Sequence, residues 1–360
     1  MRSVIDIMNL SKSEIGELIE LAISIANEPH KYKEKCKGKT LANLFFEPST
    51  RTRMSIESAM YSLGGNVITM SDQATSSTSK GETLSDTIRV ISSYADIIAI
   101  RHPHEGAALV ASNNSVVPVI NAGDGGHCHP TQTLADLLTI YREKNSLNSL
   151  KIGFVGDLKY GRTVHSLINA LARYSDTTVY LISPEELRLP DYTKSIMTSS
   201  GIDFMETSSL EEFMPELDVL YMTRIQKERF QNSDTYEMLK DVYVLNKETL
   251  KNAKNDMIIM HPLPRVNEIS TEVDSDSRAC YFKQVANGKL MRMALILKLL
   301  FEDRVQNNFN DKMGISCECL TDNSLKCKNP RCITNYERGL DHIYEIKDDV
   351  KYCIYCETRV

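Results

Sequence analysis

The chain has 360 residues, a net charge of −6 and 42% hydrophobic residues. Its length fits two or three domains, since domains average roughly 150 residues, and no apolar run approaches a membrane span. The acidic net charge disfavours a general nucleic-acid binder. The N-terminal segment mixes acidic residues into a helical pattern, which excludes a signal peptide, so we expect a cytoplasmic protein.

The first part of the chain alternates short apolar segments with segments of helical periodicity. The predicted strands are "TLANLFF", "NVITM", "DIIAIRHP" and "VPVINAG". After the polar link "YREKNSLNSL", a second series contains the predicted strands "KIGFVGDL", "TTVYLIS", "LDVLYMTRI" and "NDMIIMHPLP". This alternation is typical of parallel sheets covered by helices on both faces. It predicts an α/β protein with two doubly wound parallel-sheet domains.

Two series of strands and helices predict two α/β domains with a boundary near residues 130 to 150. We expect a first domain over residues 1–135, completed by a C-terminal helix at 286–305, and a second domain over 136–285. From about residue 314 the chain becomes polar and rich in cysteine. Residues 315–360 are therefore predicted to form a separate, small β-rich module.

The segment "FFEPSTRTR" places three hydroxyls and two arginines where the first predicted strand ends and a helix begins. Helix N-termini attract anions, because their backbone N–H groups are unpaired and the helix dipole is positive there. An ordinary N-cap needs only one hydroxyl. The additional hydroxyls and the guanidinium therefore favour an oxyanion site at Ser49, Thr50, Arg51 and Thr52 over a mere cap.

Polar residues also follow the other predicted strands, and open α/β sheets bind ligands beyond the carboxyl ends of their strands. The arginines after four separate strands are Arg51, Arg101, Arg162 and Arg224. They predict a pocket for a polyanionic reactant. A lone His129 would be a core or capping residue, but beside Gln132 at a helix start it is a candidate donor to a developing oxyanion.

The sequence contains no nucleophile elbow, HExxH helix, Walker sequence or dinucleotide fingerprint. Positioning and electrostatic stabilisation are therefore favoured over covalent catalysis. One rival interpretation stays open at this point: a scaffold without activity that recruits partners. The scaffold would be expected to have lost residues from the pocket.

Several long segments resemble the catalytic chain of aspartate carbamoyltransferase over about residues 1–305. These are "FFEPSTRTR", "SKGETLSDT", "RHP", "HPTQTLADLLTI", "GDLKYGRTVHSL", "YMTRIQKERF" and "MHPLPRVNEI". The first motif is shared with ornithine carbamoyltransferase, which typically carries a His-Cys-Leu-Pro loop where this chain has His261-Pro262-Leu263-Pro264. Arg224 offers a cation for a second substrate carboxylate, which favours aspartate over ornithine as the acceptor. Transfer to an amino acid other than aspartate stays open as a weaker interpretation.

The resemblance implies transfer of a carbamoyl group from carbamoyl phosphate to L-aspartate in pyrimidine synthesis, with no cofactor for catalysis. The implied carbamoyl-phosphate ligands are Ser49, Thr50, Arg51, Thr52, Arg101, His129, Gln132, Leu263 and Pro264. The implied aspartate ligands are Lys80, Arg162, Arg224 and Gln226. The residues implied in catalysis are Arg51, Thr52, Lys80, Arg101 and His129. The departing phosphate would accept the proton of the amine.

Lys80 lies in the polar stretch "SSTSKGE", whose composition alone predicts a surface loop. The resemblance implies instead that Ser76 and Lys80 reach into the active site of a neighbouring subunit. It therefore implies a homotrimer with shared active sites.

Six of the nine cysteines fall between Cys317 and Cys356. The spacings C-x4-C and C-x2-C, separated by 20 residues, predict one structural zinc ion per chain. The predicted ligands are Cys327, Cys332, Cys353 and Cys356. Free structural thiols are the alternative for these four. The Cys317-x-Cys319 pair is too tightly spaced for an ordinary zinc knuckle, so we expect free thiols there.

The tail resembles the zinc domain of the aspartate carbamoyltransferase regulatory chain, without that chain's nucleotide-binding domain. From residue 315 to 360 it has seven Lys or Arg and eight Asp or Glu, which disfavours a nucleic-acid partner. We expect the tail to pack against a catalytic domain and to steady the trimer or extend it to a dimer of trimers.

Overall fold

A computed structural model describes residues 2–71, 81–225, 233–301, 319–347 and 350–360. The chain divides into two compact units, Met1–Thr131 with Lys289–Val360, and Gln132–Gly288. Within the described ranges, no helix combines the length and the apolar character needed to cross a membrane.

The first unit contains a four-stranded parallel sheet in the order β2-β1-β3-β4. Its strands are β1 (Thr40–Phe45), β2 (Asn66–Met70), β3 (Ile97–His102) and β4 (Val119–Asp124). The three strands other than β2 are almost entirely buried, as expected for apolar runs in a parallel sheet. β2 is at an edge and largely exposed. All four strands were predicted from the sequence.

One helix precedes the strands of this unit, and the others alternate with them as predicted. They are α1 (Lys12–Asn27), α2 (Thr50–Ser62), α3 (Leu84–Ile91), α4 (Ala107–Asn114) and the start of α5 (Pro130–Lys144). α1 begins with a reciprocal cap, since Ser11 Oγ accepts from the Glu14 N–H and the Glu14 carboxylate accepts from the Ser11 N–H.

The second unit contains a five-stranded parallel sheet in the order β7-β6-β5-β8-β9. Its strands are β5 (Lys151–Val155), β6 (Thr178–Ile182), β7 (Asp203–Thr207), β8 (Val219–Met222) and β9 (Ile258–Met260). Its helices are α6 (Arg162–Leu171), α7 (Asp191–Ser199), α8 (Leu210–Phe213), α9 (Ser233–Leu239) and most of α5. α10 (Tyr281–Phe301) contains the point where the chain returns to the first unit. The sequence analysis did not predict β7.

The C-terminal tail is a three-stranded antiparallel sheet of β10 (Cys319–Thr321), β11 (Ile343–Lys347) and β12 (Val350–Cys353). It belongs to the first unit, and one apolar cluster contains residues of both the tail and the parallel sheet. Members of this cluster are Leu44, Ile98, Ala108, Ile333, Tyr344 and Tyr355. The predicted fold class is confirmed, as is the expectation that the tail packs against one of the α/β domains.

Candidate active site and metal centre

The predicted oxyanion segment lies at the N-terminus of α2, where the sequence placed it. Ser49 is the N-cap residue and has extended backbone (φ −159°, ψ 99°), yet its hydroxyl makes no capping hydrogen bond to the described first turn. Thr50 and Arg51 are exposed, while Ser49 and Thr52 are half-buried. The hydroxyl that an ordinary cap would use is therefore not committed to the helix, and the first turn presents an N-terminus suited to an anion.

Arg101 lies near the end of β3 and is only 8% exposed. Its Nη2 forms an ion pair with Glu47 Oε2 at 3.2 Å, and its Nη1 donates to the Ala122 carbonyl at 3.4 Å. Burial lowers the pKa of Arg101, and the neighbouring Glu47 carboxylate partly offsets this effect. Glu47 therefore helps to hold a charged guanidinium at a buried position, a role that the sequence analysis did not assign.

Gly123 in β4 leaves room beside two of the predicted ligands. A Cβ at this position would lie 3.0 Å from Arg101 Nη1 and 3.5 Å from His129 Cδ2, and the backbone has φ +119°. Both the space and the dihedral angle favour glycine. A side chain here would therefore require the Arg101 guanidinium to shift by a few tenths of an ångström, while His129 would lie at ordinary contact distance.

His129 precedes α5 and is 5% exposed. Its Nδ1 lies 3.4 Å from Thr131 Oγ1, which accepts from Arg292 Nη2 at 3.3 Å. A hydroxyl has one hydrogen and two lone pairs, so Thr131 Oγ1 can accept from Arg292 and still hydrogen-bond His129 Nδ1 in either direction. Arg292 also donates to Ser55 in α2 at 3.2 Å. The buried Arg292 thus connects α2 with the loop at His129.

The loop between β4 and His129 is organised by the buried Asp124. Its carboxylate accepts from the Gly106 N–H at 2.9 Å, Asn121 Nδ2 at 2.9 Å and the Cys128 N–H at 3.1 Å. Ligating atoms of Asp124, His127 and Cys128 lie within 4.8 Å of one another. Because the carboxylate already accepts from three N–H groups, we interpret this cluster as a support for the loop.

The second unit contains the other predicted site residues that the structure describes. Gln132 is in the first turn of α5, Arg162 begins α6, and Arg224 directly follows Thr223 after β8. Leu263 and Pro264 lie in the loop after β9 and are joined by a cis peptide bond. Ser76, Lys80 and Gln226 lie outside the described residues. Ser49 to Thr52, Arg101 and His129 belong to the first unit.

His261 stabilises the loop after β9 through two hydrogen bonds. His261 Nδ1 accepts from the Leu263 N–H at 2.8 Å, so its Nε2 donates to Glu268 Oε1 at 2.7 Å. Burial by itself would raise the pKa of Glu268, but hydrogen bonds from His261 and from the Val266 N–H bring it below the ordinary value. Leu263 adopts a φ of +52°, which is uncommon for a branched residue.

The four cysteines of the two predicted knuckles converge in the tail. Their sulfurs all lie within 4.8 Å of one another, and all four residues are buried. Cys327 Sγ lies 3.4 Å from Cys356 Sγ, and Cys332 Sγ lies 3.7 Å from Cys353 Sγ. Thr334 Oγ1 donates to Cys332 Sγ at 3.2 Å. Four inward-facing thiols at these separations form a candidate metal centre. Cys317 lies outside the described residues.

The tail contacts the rest of the first unit through Glu105, next to α4. The Glu105 N–H donates to the Arg331 carbonyl at 2.9 Å, and its own carbonyl accepts from the Ile333 N–H at 2.9 Å. The Glu105 carboxylate also accepts from Asn329 Nδ2 at 2.6 Å. All three tail residues flank Cys332, so the metal centre and the contact with Glu105 share one segment.

A second contact joins the tail to α3. The Glu337 carboxylate accepts from the backbone N–H groups of Leu84 and Ser85, both at 3.0 Å. Glu337 therefore caps the N-terminus of α3 with a negative charge, a favourable position in the helix dipole. The neighbouring Tyr336 ring stacks on His104, with centroids 3.6 Å apart.

Comparison with known families assigns all three parts of the chain. Residues 2–142 match the carbamoyl-P binding domain of aspartate/ornithine carbamoyltransferase, and residues 148–299 match the Asp/Orn binding domain of the same family. Residues 321–360 match the metal binding domain of the aspartate carbamoyltransferase regulatory chain.

Individual relatives agree with this assignment. The aspartate carbamoyltransferase catalytic subunit of Clostridium novyi is 58% identical over 299 residues, covering 83% of this chain and 98% of the relative. That of Finegoldia magna is 57% identical over the same number of residues, with the same coverage.

Solved structures show the same similarity. The catalytic subunit of M. jannaschii aspartate transcarbamoylase has a TM-score of 0.80 and 50% identity, covering 84% of this chain and 99% of that one. Aspartate transcarbamoylase from Trypanosoma cruzi, in complex with carbamoyl phosphate and aspartate, has a TM-score of 0.78 and 38% identity, covering 83% and 97%. The chain therefore belongs to the aspartate/ornithine carbamoyltransferase family, as an aspartate carbamoyltransferase catalytic chain continued by a metal-binding domain of the regulatory-chain type.

Proposed function

We propose that this chain transfers the carbamoyl group of carbamoyl phosphate to the α-amine of L-aspartate, releasing phosphate and N-carbamoyl-L-aspartate for pyrimidine synthesis. The observation that carries the proposal is the uncapped N-terminus of α2 at Ser49, in the same unit as the buried Arg101 and His129. A phosphate suits such a helix N-terminus. The similar Trypanosoma cruzi enzyme is described in complex with both substrates.

The phosphate half of the reaction is assigned to Ser49, Thr50, Arg51 and Thr52. Hydroxyls and N–H groups of the first turn of α2 would bind the phosphate oxygens, and Arg51 would neutralise the bridging oxygen as its bond to carbon breaks. The departing phosphate would take the proton of the attacking amine. No side chain has to act as general base in this scheme.

The carbonyl half is assigned to Thr52, Arg101 and His129. Their donors would point at the carbamoyl oxygen, which becomes negative when the amine attacks the carbon. His129 suits this role because its ring is buried and lies beside Thr131, which the buried Arg292 contacts in turn. Arg101 suits it because Glu47 and the Ala122 carbonyl hold a buried guanidinium in place, and Gly123 leaves space beside it. Such fixed donors require little reorganisation during the reaction.

The NH2 group of carbamoyl phosphate and the second substrate are assigned to the second unit. Gln132 and the Leu263 carbonyl, followed by Pro264, would accept from the NH2 group. The aspartate carboxylates would bind Arg162, Arg224 and Gln226, with Lys80 supplied by a neighbouring subunit. Guanidinium groups suit carboxylates because they can pair with both oxygens.

Purified full-length protein assayed with carbamoyl phosphate and either aspartate or ornithine tests the proposal. We expect carbamoyl transfer to aspartate and no comparable transfer to ornithine. Activity with neither acceptor would support a scaffold without activity, and a preference for ornithine would contradict the assignment of Arg224.

Replacing Arg224 by alanine should mainly raise the aspartate requirement. Loss of an arginine from a buried carboxylate costs about 2–5 kcal/mol of binding, while carbamoyl phosphate affinity should change little. Steady-state KM values for both substrates measure the effect. Arg188→Ala is the matched control, because Arg188 is an exposed arginine of the same unit. A defect that falls on carbamoyl phosphate instead would show that Arg224 is assigned to the wrong substrate.

We further propose a homotrimer whose active sites are shared, with Ser76 and Lys80 contributed by the neighbouring subunit. Lys80→Ala and Arg51→Ala proteins should each be inactive alone and regain activity when they are mixed and reassembled. Random mixing places one intact half from each mutant in about a quarter of the sites. Turnover of the mixture, compared with each mutant reassembled alone, measures the rescue. Mixed trimers without activity would place Lys80 in the active site of its own chain.

The metal of the tail is proposed to be zinc, one ion per chain, held by Cys327, Cys332, Cys353 and Cys356. A tetrahedron of thiolates with Zn–S bonds of about 2.3 Å has edges of about 3.8 Å. The sulfur pairs at 3.4 and 3.7 Å fit that size. A site with four cysteine ligands keeps no open position, so zinc would stabilise the tail and take no part in carbamoyl transfer.

A further inference from the structure

Asp136 lies one turn after Gln132 in α5 and is completely buried. Its Oδ1 accepts from Gln132 Nε2 at 2.7 Å and from Gln284 Nε2 at 2.6 Å, and its Oδ2 accepts from the Tyr221 hydroxyl at 2.9 Å. A carboxylate only accepts hydrogen bonds, so each partner must turn a donor toward it. The nitrogen of the Gln132 amide is thereby directed to Asp136, and Oε1 is the atom that Gln132 can offer to a donor.

Gln284 extends this constraint to the loop after β9. Its Nε2 donates to Asp136, which leaves its Oε1 to accept from the His261 N–H at 3.0 Å. Gln284 is 2% exposed, so each of these bonds is made in the protein interior. The His261 ring then accepts from the Leu263 N–H at 2.8 Å. One buried amide therefore connects Asp136 to the backbone of the loop that contains Leu263.

This hydrogen-bond network connects the two acceptors that the proposed function assigns to the NH2 group of carbamoyl phosphate. Gln132 Oε1 and the Leu263 carbonyl are both assigned to the NH2 of carbamoyl phosphate, and the chain between them runs through Asp136, Gln284 and His261. A site built to hydrogen-bond an NH2 group discriminates against an analogue that lacks it, because its acceptors are then left unpaired.

We infer that Asp136 and Gln284 are positioning residues, which direct both acceptors toward one NH2 group and make the site select a carbamoyl group over an acetyl group. This inference rests on the proposed function. The structure gives each residue a separate part: Asp136 orients the Gln132 amide, and Gln284 couples that orientation to the loop that contains Leu263.

The test compares carbamoyl phosphate with acetyl phosphate, which has the same phosphate and carbonyl but a methyl group in place of NH2. The full-length Gln284→Met protein keeps a side chain of similar length and volume and loses both hydrogen bonds. We expect its KM for carbamoyl phosphate to rise about tenfold, the effect of roughly one hydrogen bond. The inhibition constant of acetyl phosphate, measured in the same assay, should stay within about twofold.

Tyr221→Phe is the matched control. It removes the third hydrogen bond to the same carboxylate, but Tyr221 is not on the path from Gln132 to Leu263. In this variant, the ratio of the KM for carbamoyl phosphate to the inhibition constant of acetyl phosphate should therefore equal that of the wild-type protein. An unfolded fraction lowers the maximal rate but leaves KM and the inhibition constant of the folded protein unchanged. Gln284→Asn serves as a second variant, because it keeps a buried amide that is too short to reach both partners.

Two outcomes overturn the inference. One is an unchanged ratio of the two constants in both Gln284 variants, whether both ligands weaken in parallel or neither does. The other is an equal change of that ratio in Tyr221→Phe. Failure of the proposed function would give a different result, because the wild-type protein would then transfer no carbamoyl group to aspartate.

Discussion

Replacement of Arg51 by alanine is expected to lower turnover about a hundredfold or more, the effect of deleting a preorganised charge stabiliser. The leaving phosphate would lose the guanidinium that neutralises its bridging oxygen. The fold should survive, because Arg51 is an exposed residue in the first turn of α2. Turnover at saturating substrates measures the loss, and thermal unfolding shows whether the protein is intact.

Arg89→Ala provides the matched control for that experiment. Arg89 is an exposed arginine of α3 in the same unit, and it donates to Asn114 Oδ1 at 2.9 Å. Like Arg51→Ala, this control removes one guanidinium charge from the first unit, but Arg89 has no assigned role in binding a substrate. Near-normal turnover in a folded Arg51→Ala protein, or an equal loss in Arg89→Ala, would remove Arg51 from the mechanism.

The Cys353→Ser/Cys356→Ser double mutant is expected to lose its zinc and the order of the tail. The module of residues 315–360 is small, and chains near 40 residues usually need a metal or a similar constraint to fold. Zinc binding to such peptides is worth about 10–16 kcal/mol at neutral pH, and that free energy becomes folding free energy. Assembly beyond the trimer should weaken, while the trimer should keep substantial activity.

Metal content, oligomer mass and turnover of this one mutant test the assignment. Cys319→Ser is the matched control, because Cys319 is an exposed cysteine of the same tail outside the four-cysteine cluster. Full zinc retention in the double mutant would disprove the ligand set. Inactivity of an intact trimer would show that the tail does more than stabilise structure.

Much of the fold could be predicted because buried parallel strands are nearly continuous apolar runs. The strands of the first unit and four strands of the second have this pattern or are bounded by clear polar links. β7 was missed for the opposite reason. It is an edge strand whose residues are mostly exposed, and Asp203 and Glu206 flank Phe204 and Met205, so the apolar run within the strand is only two residues long.

The chain positions of candidate residues could be predicted where a residue ends a strand or begins a helix, as with Arg101 near the end of β3 and Arg162 at the start of α6, while their roles stay predictions. The supporting residues could not be found in this way. Glu47 acts through an ion pair with Arg101, and Arg292 reaches Thr131 from a position 161 residues later in the chain. Gln284 meets Asp136 across 148 residues. Contacts between residues so far apart in sequence depend on the tertiary fold, which no local pattern specifies.

Glu105 contacts the metal-binding tail, and Glu337 of the tail contacts α3; covalent attachment of the tail reduces the intrinsic affinity that these contacts need. A separate regulatory chain would have to find its catalytic partner at cellular concentration, whereas this tail is joined to its partner by residues 302–318. Covalent attachment makes docking an intramolecular step, and short linkers give effective concentrations in the millimolar range. A contact of only modest intrinsic affinity is then occupied most of the time. The fusion also fixes the ratio of the two modules at one to one, independent of how much protein the cell makes.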